Sequence, residues 1–187
     1  MILLDPDLEP HPAPKATSAK KTAASTKDKN SRLPSARTLS RFLAVVQETI
    51  RLKGQVTVLL TTDAAIRKLN RQFRGKGKAT DVLSFPAEGS FPADGSFPAE
   101  GSVPGSAAEK IAGDLAISVP TALRQAVEQG HSLSTEIKIL ILHGLLHLAG
   151  HDHEADEGKM ARRERQLRAK LSLPQGLIER TAKVRRT

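Results

Sequence analysis

The segment "LSTEIKILILHGLLHLAG", Leu133–Gly150, carries apolar side chains around nearly its whole circumference when wound as a helix. A helix apolar along one stripe lies on a surface, whereas one apolar all round is enclosed by neighbours. This segment is therefore expected to be the central buried helix, capped by Ser132 or Ser134 and ended by Gly150 in a left-handed conformation. Two histidines interrupt it. His143 and His147 are four apart, one turn along the same face, so both imidazoles can reach one ion.

Beyond Gly150 the chain can fold back and bring His153 to the same point, giving H-x3-H-x5-H with three nitrogen donors. Three protein ligands around zinc leave a fourth position for water, the catalytic pattern. His151 competes for the third place, but it lies only four residues past His147 across the glycine turn, and His153 is preferred. Polar residues at a partly exposed helix end would account for one histidine, but poorly for four of the chain's six within eleven residues. Gly144 occupies the place that holds the general-base glutamate in the metallopeptidase motif H-E-x-x-H. A peptidase would need another carboxylate, with Asp152, Glu154 and Asp156 nearby in sequence.

Outward from this helix, strands and helices alternate. Leu39, Phe42, Leu43, Val46 and Ile50 form one helical stripe from Ala36, closed by Gly54. "QVTVLL" (55–60) reads as a strand, and Asp63 is a cap for a helix burying Ile66, Leu69 and Phe73, with Arg67, Lys68, Arg71 and Arg74 opposite. "TDVLSFP" and "GDLAIS" (113–118) are further strands, and Pro120 and Gly130 bracket another helix. A basic helix, "GKMARRERQLRAKL", follows. Phe42, Phe73 and Phe85 look like core, so no aromatic stands out as a platform for bases. The expected fold class is α+β (α/β-like), a small mixed β-sheet with packed helices and the zinc site at the end of the central helix.

The 187 residues allow one domain plus tails. Residues 1–10 hold a possible edge strand, 11–35 a flexible basic linker poor in large apolar residues, and 36–173 a single catalytic domain. Within it a hexamer repeat, "SFPAEG", "SFPADG", "SFPAEG", expands the loop 86–109, and residues 174–187 form a basic C-terminal tail. Three copies are too few to stack as a solenoid. The formal charge of +9 is unevenly placed: residues 33–158 carry 13 Lys/Arg against 14 Asp/Glu, and the ends supply the excess. Such ends suit either solubility or polyanion binding. There is no cysteine, which excludes disulfides and thiolate metal sites, and no apolar run approaches signal-peptide or membrane-spanning length. A cytoplasmic protein without membrane association is expected.

Taken together and in order, "LNRQFRGKGKATDVLSFP", "GDLAIS" and "HGLLHLAGHDH" resemble the bacterial YbeY family, from about Ala36 to Leu171. The resemblance implies a metal-dependent endoribonuclease of ribosomal RNA maturation, specific for single strands and acting at the 3′ end and in ribosome quality control. It implies one zinc per chain on His143, His147 and His153, and a functionally important Arg74 facing the metal groove. RNA is then the partner, with the ribosome or small-subunit proteins. Arg71, Lys76 and Lys78 are candidate phosphate contacts, and Asp81 and Asp152 candidates for holding a ligand histidine from behind. The linker, the repeats and His151, where the family often has Tyr, depart from the common pattern. Two other functions fit parts of the sequence: a zinc-stabilised, RNA-binding ribosome assembly factor without catalysis, and a metallopeptidase-like hydrolase with a substituted base.

Overall fold

The structure, a computed structural model, describes residues 1–8, 30–87, 111–152 and 156–174. His153, most of the linker, the repeat loop and all but the first residue of the C-terminal tail lie outside the described residues. Four strands form one mixed sheet: β1 (Ile2–Leu4), β2 (Gln55–Thr61), β3 (Val82–Pro86) and β4 (Ile111–Ser118). Their order is β1-β2-β4-β3, with β1, β2 and β4 parallel and β3 antiparallel to β4. Five helices accompany them among the described residues: α1 (Ala36–Ile50), α2 (Asp63–Arg74), α3 (Val119–Gln129), α4 (Leu133–Leu148) and α5 (Lys159–Lys170). This is the α+β class expected from the alternation of periods.

The two faces of the sheet are unequal. Val56, Val58, Leu60, Leu115 and Ile117 point into a large core shared with α1, α4 and α5. On the other face Ile66 of α2 meets only Leu83 and Ala116, with Leu69, Ala79 and Phe85 at the margin. Helix α4 explains the asymmetry, because twelve of its sixteen residues are buried and only a thick layer can enclose it. Ser132 is its cap, accepting from Thr135 N–H.

Several boundaries differ from the sequence expectation. Helix α1 stops at Ile50 rather than running to Gly54, because Arg51 itself takes the left-handed conformation and returns its N–H to Gln47 and Glu48. Thr62, not Asp63, caps α2, since its hydroxyl accepts from Ala65 N–H and leaves Asp63 in the first turn. Strand β4 begins two residues before Gly113, across a register shift opposite Gln55 and Val56. Phe73, expected in the core, is 59% exposed. It continues the stripe of Ile66 and Leu69 and packs T-shaped against Phe85, while most of its ring stays open.

Candidate metal centre and its surroundings

Helix α4 closes with a Schellman motif. The N–H of Gly150 bonds to His147 C=O at 2.9 Å, and that of His151 to Leu146 C=O at 3.0 Å, with Gly150 at φ +86°. Glycine adopts that angle without a Cβ penalty, and the motif turns the chain back over its own last turn. Just inside that turn His143 and His147 present their Nε2 atoms to one another at 3.2 Å, the rings 4.8 Å apart and inclined at 73°. His143 is buried and His147 half-buried.

That spacing fits a shared ion. Two donor nitrogens of a tetrahedral zinc site with bonds of about 2.0–2.1 Å lie roughly 3.3 Å apart. The third donor is not on view, and among the described residues no three His, Cys, Asp or Glu side chains converge on one point. His151, the competing ligand, is half-buried; burial pulls it below the ordinary imidazole value, Arg163 adds to this and Asp156 opposes it.

Glu164 is the residue that sequence reasoning missed. It is 1% exposed on α5, and its Oε1 lies 3.9 Å from Nδ1 of His143, on the far side of the ring from Nε2. The signal was present in "KMARRERQLRAK". Glu164 is its single acid, on the stripe with Met160 and Leu167 that α5 buries against the core.

Of the carboxylates considered as bases, Asp156 is engaged in starting α5: its Oδ1 accepts from Gly158 N–H at 3.0 Å and its Oδ2 from Met160 N–H at 2.6 Å. Asp152 is exposed, and Glu154 lies outside the described residues. Gly144 faces the sheet rather than the imidazoles. A Cβ there would stand 2.7 Å from Leu115 Cδ2 and 3.3 Å from Ser84 Oγ. The position is a packing contact with no room for a base.

Asp81 is tied in at its own end of the sheet. Its carboxylate accepts from Thr80, Val82 N–H and Gln125, and its carbonyl from Ser118 N–H, at the C-terminal end of β4. The imidazoles belong to the opposite end, where Leu148 lies against Gly113.

Helix α2 delivers the cations to that same end, on the other face. Its first turn is fixed at the far end by Asp63, which accepts from Ser118, Thr121 and Arg124. Burial works to raise the Asp63 pKa, but these hydrogen bonds and the Arg124 charge outweigh it and hold the carboxyl below its usual value. The last turn carries Arg71 and Arg74, and Phe73 touches Phe85, whose partner in β4 is Asp114. Gly75 ends the helix, and Asn70 ties the following loop to it by donating to Lys78 C=O at 2.7 Å. Arg71, Arg74, Lys76 and Lys78 are thus gathered on one helix end and its loop, all exposed.

Comparison with known proteins bears on this arrangement. The family model described as "Endoribonuclease YbeY" matches residues 21–172. An "Endoribonuclease YbeY" of Koribacter versatilis is 50% identical over 149 residues, covering 80% of this chain and 86% of that one. One of Solibacter usitatus is 48% identical over 142 residues, covering 76% and 83%. Among solved structures, the solution structure of TM1509 from Thermotoga maritima is 21% identical with a TM-score of 0.46, covering 89% of this chain and 85% of that one.

Proposed function

Because the chain belongs to the YbeY endoribonuclease family, and is thus a hydrolase with RNA as substrate, we propose that it is a zinc-dependent endoribonuclease acting on single strands in ribosomal RNA 3′-end maturation and ribosome quality control. The observation that carries the metal reading is the His143–His147 pair, two Nε2 atoms 3.2 Å apart at the end of a buried helix. His153 would be the third ligand, one zinc per chain. When bound, zinc supplies positive charge against the phosphoryl oxygens and lowers the pKa of water.

The chain's own residues do the rest. The Glu164 carboxylate, 3.9 Å behind His143, favours the proton on Nδ1 by its charge. That tautomer leaves the Nε2 lone pair free for the ion. Arg74, last residue of α2 on the other face of the sheet, would have to reach past edge strand β3 to neutralise the phosphodiester as charge develops on it, a task suited to a guanidinium, while Arg71, Lys76 and Lys78 hold flanking phosphates. Residues 36–173 would form the catalytic unit, with the expanded loop 86–109 inside it and the basic segments 11–35 and 174–187 outside. We place the protein in the cytoplasm with the ribosome or small-subunit proteins as partners; no helix among the described residues is long and apolar enough to cross a membrane.

Metal content tests the reading. Purified wild type is expected to carry one zinc per chain, and His143→Ala, His147→Ala and His153→Ala to lose it while keeping their helical content. Zinc retained in His153→Ala and lost in His151→Ala would transfer the third position to His151. A wild type that binds no zinc when supplied with it would refute the metal-centred mechanism.

A further inference from the structure

We propose that Phe73 is a stacking platform for an unpaired base of the RNA strand, with the cations around it holding the adjoining phosphates. The inference rests on the RNA-cleaving reading above and assigns that reading a second contact surface, on the face of the sheet away from the histidines. Its first support is charge. Between Asp63 and Asp81 the chain has six Lys/Arg and no acid, whereas the rest of residues 33–158 has seven against fourteen. The positive field is therefore local to α2 and its loop, and Arg67, Arg71 and Arg74 recur at i, i+4 and i+7 as one exposed stripe.

The second support is the ring itself. A single exposed Phe is ordinary on protein surfaces. This one is 59% exposed beside that stripe, and Phe85 holds it edge-on, centroids 5.2 Å apart at 70°. Partial anchoring of this kind limits the ring's freedom before a ligand arrives, which lowers the cost of ordering it on binding. The third is position. Phe73, through Phe85, lies at the end of the sheet where Leu148 packs against Gly113 ahead of the histidine turn, so a strand crossing beside edge strand β3 would meet both surfaces. Aromatic rings interleaved with cations are the usual means of gripping single strands without reading their sequence.

The chain has no Trp and no Tyr, so Phe73→Trp creates a single-tryptophan reporter. We would titrate a labelled single-stranded RNA into the zinc-loaded full-length chain at 4 °C, following anisotropy and tryptophan emission and checking strand integrity afterwards. Phe73→Ala should bind about tenfold more weakly with an unchanged salt slope, whereas Arg71→Ala should flatten the slope by about one. Phe73→Trp should bind like wild type and be quenched in step with anisotropy. A duplex of the same sequence should not quench it, nor should single-stranded RNA quench Val127→Trp, placed at an exposed site on α3. Wild-type affinity in Phe73→Ala together with an unquenched Phe73→Trp would overturn the proposal. Failure of the wild type to bind RNA at all would overturn the underlying reading, and the wild-type arm separates that result from the other.

Discussion

At the scale of single residues, the site depends on side chains whose neighbours restrict them. Glu164 is buried behind His143, and in the proposed mechanism it sets which ring nitrogen carries the proton. Glu164→Gln keeps the shape and removes the charge, so zinc affinity should fall about 10- to 100-fold with circular dichroism unchanged; chelator competition measures it, and an unaltered affinity would remove Glu164 from the site. Gly144 serves packing. Gly144→Ala would press a methyl into Leu115 and should cost about 1–3 kcal/mol by denaturant unfolding. Gly144→Glu, which writes H-E-x-x-H into the chain, should destabilise it further and yield no peptidase. The histidine pair was legible because both members sit on one helix at a spacing that geometry converts directly into proximity. Glu164 was harder to see because it arrives from another helix, 21 residues on, and only its isolation among cations marked it.

At the scale of elements, most helices and strands could be read from hydrophobic period, and the errors lie at their ends, where a few local hydrogen bonds decide. Arg51 ends α1 early by closing its own cap, and Thr62 displaces Asp63 as the cap of α2. Phe73 is the instructive case. Its place on the stripe with Ile66 and Leu69 could be read from the period, but how much of a stripe is covered depends on the neighbours packed against it, and no period within α2 carries that information. Asp63 joins three elements, receiving hydrogen bonds from β4 and α3 at the start of α2. Its folded-state pKa is depressed, so its contribution is fully present above the unfolded carboxyl value of about 3.9 and is lost as pH falls through the lower folded value. Asp63→Asn should therefore lower stability at pH 6, and the gap to wild type should narrow below about pH 4. Denaturant midpoints measured from pH 6 to pH 2.5 check both; a constant gap would contradict the assigned role.

At the scale of the whole molecule, the class of fold was legible but the order of the strands was not. Strand β1 joins β2 in parallel, Ile2 opposite Val58, across more than fifty residues, and β3 takes the far edge although it precedes β4. Such pairings are set by which faces must be covered once α4 is enclosed. The same topology separates the histidine pair on the buried helix α4 from an exposed basic helix end while leaving both at one end of the sheet. RNA affinity should therefore be steeply salt-dependent through α2 and its loop, whereas zinc affinity should change little with salt. The most direct test of the central claim is cleavage of a ribosomal RNA fragment with a single-stranded 3′ end by wild type and His147→Ala prepared identically. Wild type should cut internally, lose activity on chelation and regain it with zinc, while His147→Ala stays folded, zinc-free and inactive. A zinc-free His147→Ala that cuts at the wild-type rate would contradict it.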